Sequence, residues 1–123
     1  MAYVSDRKRA VGLGSAKSGT EHFWNMTKSS VALLVLVPLF VFTVGPMIGR
    51  PYEEVVAFFA RPFPAIVAAL TIVVGFMHFK NGVQVAIEDY TDGLTRKALI
   101  LLSIGLSYAA AATGLYALAR IAL

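Results

Sequence analysis

Three apolar stretches, each about twenty residues long, constrain this chain more than any other feature of it. They run from Ser29 to Gly49, from Pro64 to about Glu88, and from Lys97 to about Ile121. A helix rises 1.5 Å per residue, so each stretch is long enough to cross a hydrocarbon layer of about 30 Å. The whole chain has 123 residues, 58% of them hydrophobic and only 15% charged, with a mean hydropathy of +0.72. A water-soluble domain of that size has too little interior to hide so much apolar surface. The expected fold is therefore all-α and integral to the membrane, with three transmembrane helices. Residues 1–28 read as a basic leader and residues 29–123 as a three-helix transmembrane domain. The first stretch is preceded by too many polar residues, and is itself too long, to read as a signal peptide.

Two finer features follow from the punctuation. Pro38 interrupts the first stretch, where it either kinks the helix or is tolerated by neighbouring helices. Gly45–Pro46 should fray that helix. Between the first and second spans, "RPYEEVVAFFARPFP" places Val55, Val56, Phe58 and Phe59 between acidic Glu53–Glu54 and Arg61. This pattern predicts a short interfacial helix, with Pro62 and Pro64 starting the second span.

Charge orients the chain. The leader carries Arg7, Lys8, Arg9, Lys17 and Lys28, whereas the two loops tie with a pair of basic residues each. An excess of Lys and Arg marks the cytoplasmic side. The N-terminus is therefore expected in the cytoplasm, the Glu88–Lys97 loop also there, and Leu123 outside. Trp24 fits an interfacial anchor. The net charge of +4 does not argue for nucleic acid, because the basic residues flank apolar runs and form no single stripe. With no cysteine the chain cannot supply a thiolate site for zinc or an iron–sulfur cluster.

The chemistry concentrates in "GFMHFKNGVQVAIEDY", residues 75–90. On a helix, His78 shares a face with Thr71, Gly75, Gly82, Val85 and Asp89. Glycines one turn before and one turn after the histidine leave room for a close helix or for a flat ligand beside the ring. Asp89 points the same way roughly 16 Å along the axis, and Tyr90 ends the span. A neutral imidazole is a good axial ligand for haem iron. It can equally hydrogen-bond a neighbouring helix, and Asp89 and Tyr90 can equally be ordinary interfacial residues. If haem takes two histidines, His22, before the first span, is too far in depth to be the second, so another subunit would provide it. Met77 points about 100° away from His78. Lys80 should snorkel or find a partner. Ser103, Ser107, Ala111 and Gly114 form a small-residue strip that reads as packing.

His78 followed after ten residues by Asp89–Tyr90 resembles the signature of the small hydrophobic anchor subunit of succinate dehydrogenase, respiratory complex II. The leader "GLGSAKSGTEHFW" and the following "SSVALLVLVPL" resemble the alphaproteobacterial branch of that family, and the likeness covers nearly the whole chain. The resemblance implies a bacterial inner-membrane anchor that packs with a second three-helix cytochrome b subunit, holds one haem b with it, and docks a flavoprotein and an iron–sulfur protein on the cytoplasmic side. It implies that His78 is an axial haem ligand, that Tyr90 hydrogen-bonds ubiquinone, and that Asp89 supports Tyr90 and the proton path. Family members often carry an arginine near the start of the first span, close to the haem propionates. Thr27 stands there in this chain, with Lys28 beside it as the replacement contact, though a lysine lacks the bidentate fork. The anchor of a fumarate reductase is a close variant. Rivals from other classes are a structural anchor with no cofactor and a small channel, for which the third span offers few polar residues.

Overall fold

The computed structural model describes residues 3–14 and 19–123. Lys17 and the Ser15–Ser18 part of the leader motif lie outside the described residues. Among the described residues five α-helices follow one another: α1 (Asp6–Val11), α2 (Glu21–Val44), α3 (Tyr52–Phe59), α4 (Pro62–Tyr90) and α5 (Gly93–Ala122). A 3₁₀ turn, Gly45–Met47, extends α2. Among the described residues there is no strand. Among the described residues three helical stretches are long and apolar enough to cross a membrane: Glu21–Met47, Pro62–Tyr90 and Gly93–Ala122.

The helices outrun the apolar runs that predict them. α2 begins at Glu21, inside the residues read as leader, and α4 and α5 are separated by Thr91 and Asp92 alone. Hydropathy marks where lipid begins, whereas a helix continues until its backbone finds a cap. At the α4–α5 corner the Thr91 hydroxyl donates to the Ile87 carbonyl at 2.6 Å, and Arg96 Nε donates to the Thr91 carbonyl, also at 2.6 Å. Gly93 turns the chain with φ 60°, a left-handed conformation that disfavours any residue with a Cβ. Pro38 stays inside α2, and the α-helix ends at Val44 next to Gly45–Pro46, as the sequence predicts. Pro62 occupies the first turn of α4, where its missing N–H removes no helical bond.

α4 is the middle of the molecule, with α2 against one side and α5 against the other. α2 turns a half-buried stripe of His22, Met26, Ser29, Leu33, Leu36 and Phe40 inward, at the three- and four-residue spacing of one helix face. The two helices run antiparallel: Ser29 meets His78, and Met26 lies 4.0 Å from where a Cβ on Gly82 would stand. α5 approaches α4 through its small-residue strip. Ser107 is 3% exposed, and a Cβ on Gly114 would stand 3.4 Å from two atoms of Ile72. The hydroxyls of Ser103 and Ser107 donate back to carbonyls of α5 itself, so the strip presents no free polar edge. α3 half-buries Val55, Val56, Phe58 and Phe59, and packs on both α4 and α5.

The core of this chain is thin. Among the described residues Pro64, Val67, Ala68, Asn81 and Ser107 are the buried ones, and large apolar side chains are exposed along every span. A layer of three helices with one central member leaves two broad apolar faces. Lipid or another apolar helix must cover them.

Candidate cofactor and quinone site

His78 sits past the middle of α4 and turns toward α2. Its Nδ1 lies 2.9 Å from Ser29 Oγ, a contact across 49 positions of sequence. The same hydroxyl lies 2.9 Å from the Asn25 carbonyl and 2.9 Å from the Met26 carbonyl. Among the described residues Nε2 of His78 makes no hydrogen bond. The ring is thus held at one nitrogen and free at the other. This contact is the helix–helix bond that the sequence left as one reading of the histidine. It does not exclude ligation, because it uses only one of the two nitrogens.

The flanking glycines differ. A Cβ on Gly75 would meet nothing within 4 Å, whereas one on Gly82 would approach Met26 of α2. Gly75 therefore opens onto space that this chain leaves unfilled, and Gly82 faces the end of Met26 at ordinary contact distance. Beside the Ser29–His78 contact lies a cavity of about 400 Å³ between the two helices. Asn25, Lys28 and Ser29 line it from α2, and Met77, Lys80 and Asn81 from α4. Lys28 thus stands on a groove that shares Ser29 with the histidine. Asn81 is buried, a polar feature that the sequence reading did not single out and that its place three residues after His78 makes intelligible afterwards.

Lys80 has a partner of a kind that spacing could not reveal. Its Nζ stands 5.7 Å from the centroid of the Tyr108 ring on α5. Together with Phe76 and Ser107 the two side chains line a second cavity of about 280 Å³. The ammonium faces an aromatic surface in place of a carboxylate. Among the described residues the carboxylate ion pairs are Arg50–Glu54 and Arg96–Asp92, both remote from it in sequence and both exposed.

Tyr90 and Asp89 stand together at the C-terminal end of α4, apart from His78. Tyr90 lies twelve residues further along the helix, about 18 Å away. It is 88% exposed, and among the described residues its hydroxyl is unpaired. Asp89 is exposed as well. His22 lies at the start of α2, seven residues or about 10 Å before Ser29, so the structure keeps it apart from His78. Its Nε2 is buried, with no hydrogen-bond partner among the described residues.

These features define a class: a multi-pass helical membrane protein with an imidazole within an apolar spanning helix, a phenol unpaired among the described residues at that helix's end, and apolar faces to be covered by lipid or by another helix. The chain matches the family model described as "Succinate dehydrogenase/Fumarate reductase transmembrane subunit" over residues 1–116. It is 50% identical over 123 residues to the "Succinate dehydrogenase hydrophobic membrane anchor subunit" of Paracoccus denitrificans, covering 100% of this chain and 95% of that protein. No solved structure matches it significantly. The chain belongs to the succinate dehydrogenase/fumarate reductase transmembrane subunit family.

Proposed function

We propose that this chain is the hydrophobic anchor of a succinate:ubiquinone oxidoreductase, sharing haem b with a second three-helix cytochrome b subunit and forming one wall of the quinone site. The observation that supports haem ligation is that His78, held at Nδ1 by Ser29, leaves its Nε2 without a partner among the described residues. The donor set fits haem b: a neutral nitrogen ligand, open space at Gly75, and Lys28 on an adjoining groove as a cation for a propionate. A further ligand to the haem iron would come from the partner subunit. Haem b, when bound, supplies a one-electron redox centre in the low-dielectric interior.

The chain's own part in quinone reduction is local. Tyr90 donates its hydroxyl proton in a hydrogen bond to a quinone carbonyl oxygen, whose negative charge grows on reduction. Asp89 supports Tyr90 and helps bring protons from the aqueous side. Succinate is oxidised elsewhere, on a flavoprotein, and an iron–sulfur protein passes the electrons inward. Both dock on the cytoplasmic face of a bacterial inner membrane, with Leu123 on the periplasmic side.

Purification of the tagged chain in mild detergent tests the assignment. It should bring down a flavoprotein, an iron–sulfur protein and a second membrane subunit, with succinate-dependent ubiquinone reduction and a b-type absorption spectrum. Recovery of the chain alone, with no haem, would favour the cofactor-free structural anchor. A complex that reduces fumarate with quinol far faster than the reverse would favour the fumarate reductase variant.

A further inference from the structure

We propose that Ser29 is the positioning residue for His78: it fixes the ring's tautomer and orientation so that Nε2, and not Nδ1, presents its lone pair to the iron. The proposal rests on the haem reading above. It comes from counting protons around one oxygen. Ser29 Oγ has three neighbours, the carbonyls of Asn25 and Met26 and the ring nitrogen of His78, each at 2.9 Å. A hydroxyl carries one proton, and the two carbonyls can only accept. If that proton went to Nδ1, two carbonyl oxygens would face a hydroxyl oxygen at 2.9 Å with nothing between them, which is repulsive. If the proton is shared by the carbonyls, the third contact must be Nδ1–H donating to Oγ, and all three contacts become favourable. The neutral ring then carries its proton on Nδ1 and its lone pair on Nε2. That is the state a metal needs on the nitrogen left without a protein partner.

The geometry has a second consequence. A serine whose own proton is committed to its helix is a fixed acceptor, because the oxygen cannot turn away without losing the carbonyl bonds. The ring is thereby fixed about its bonds to α4 by a point on α2. Accepting from Nδ1–H also raises the electron density at Nε2, which favours the oxidised iron. The sequence holds the ingredients four residues apart, since Ser29 can reach the Asn25 carbonyl within one helical turn. Only the antiparallel register of α2 and α4 supplies the histidine.

The test uses the whole complex in native membranes, and compares Ser29→Ala, Ser29→Cys and Ser29→Thr with His78→Ala. The readouts are haem content, redox midpoint potential and the low-spin ferric EPR signal. Ser29→Ala should shift the midpoint potential positive and move the largest g-value, because Nδ1–H loses its fixed acceptor. Ser29→Cys, a weak acceptor of similar shape, should shift both in the same direction, and carries the test if the alanine variant does not assemble. Ser29→Thr keeps the hydroxyl and should restore the wild-type potential and signal. Wild-type potential and EPR signal in the alanine or cysteine variant would overturn the proposal, as would a threonine variant as perturbed as they are. Full haem content in His78→Ala would instead show that the underlying ligand assignment is wrong.

Discussion

Removing one oxygen atom, in Tyr90→Phe, separates the quinone role from everything else the residue does. In the free chain Tyr90 is 88% exposed and its hydroxyl has no bond among the described residues. The substitution therefore removes nothing from the fold and keeps the ring at the membrane edge. What is lost is one donor toward a carbonyl oxygen that gains charge as it is reduced. Such a bond to a charged acceptor is worth about 1.5–3 kcal/mol. If that amount acts in the transition state, quinone reduction slows roughly ten- to 150-fold. Haem content should not change, because His78 lies about 18 Å away along α4. The assay is succinate–ubiquinone reductase activity in membranes, with reduction of a soluble dye as the control for the succinate-oxidising partners. Dye reduction should stay at the wild-type rate. A Tyr90→Phe complex with undiminished quinone reduction would show that the tyrosine is only an interfacial anchor.

Three further outcomes follow from the packing and the charges. Gly75→Leu should lower haem content several-fold while leaving the isolated chain helical, since nothing in the chain lies within 4 Å of a Cβ there; circular dichroism and the haem spectrum separate the two, and normal haem would mean the space has another use. Gly114→Ala should be tolerated, because its Cβ would stand at contact distance from Ile72, whereas Gly114→Leu should destabilise the α4–α5 pair by about 1–3 kcal/mol, read as a lower thermal midpoint of the detergent-solubilised complex. A reporter enzyme fused after Leu123 should be active only as a periplasmic domain, and one inserted at Asp92 should report the cytoplasm; the reverse at both positions would move the proposed quinone site to the wrong face.

The three spans, the short helix at Tyr52–Phe59 and the end of α2 at Gly45–Pro46 were legible because each has a local cause: apolar length, a charge-flanked apolar patch, a helix breaker. The early start of α2 at Glu21 was not, since Glu21, His22 and Asn25 are polar and hydropathy cannot distinguish a helix in water from a loop. The face carrying His78 and its glycines followed from helical periodicity, but the two glycines proved unlike. That difference depends on which of them looks toward Met26, and only the register of two antiparallel helices decides it. Ser29, Asn81 and the Tyr108 ring near Lys80 escaped for the same reason. Each meets its counterpart, or loses its solvent, through contacts between helices, and single-helix periodicity carries no information about such pairs. The small strip on α5 was readable as packing because small residues at one helix face are informative whatever stands opposite.

The most direct test of the central claim is the dithionite-reduced minus oxidised spectrum of the purified complex carrying His78→Ala, beside the wild type. A b-type spectrum is expected in the wild type, with its loss, or replacement by a high-spin signal at low occupancy, in the variant. Soluble-dye reduction by succinate should persist, because the partners carry that chemistry. An unchanged low-spin b-type spectrum in His78→Ala would show that His78 does not ligate the haem.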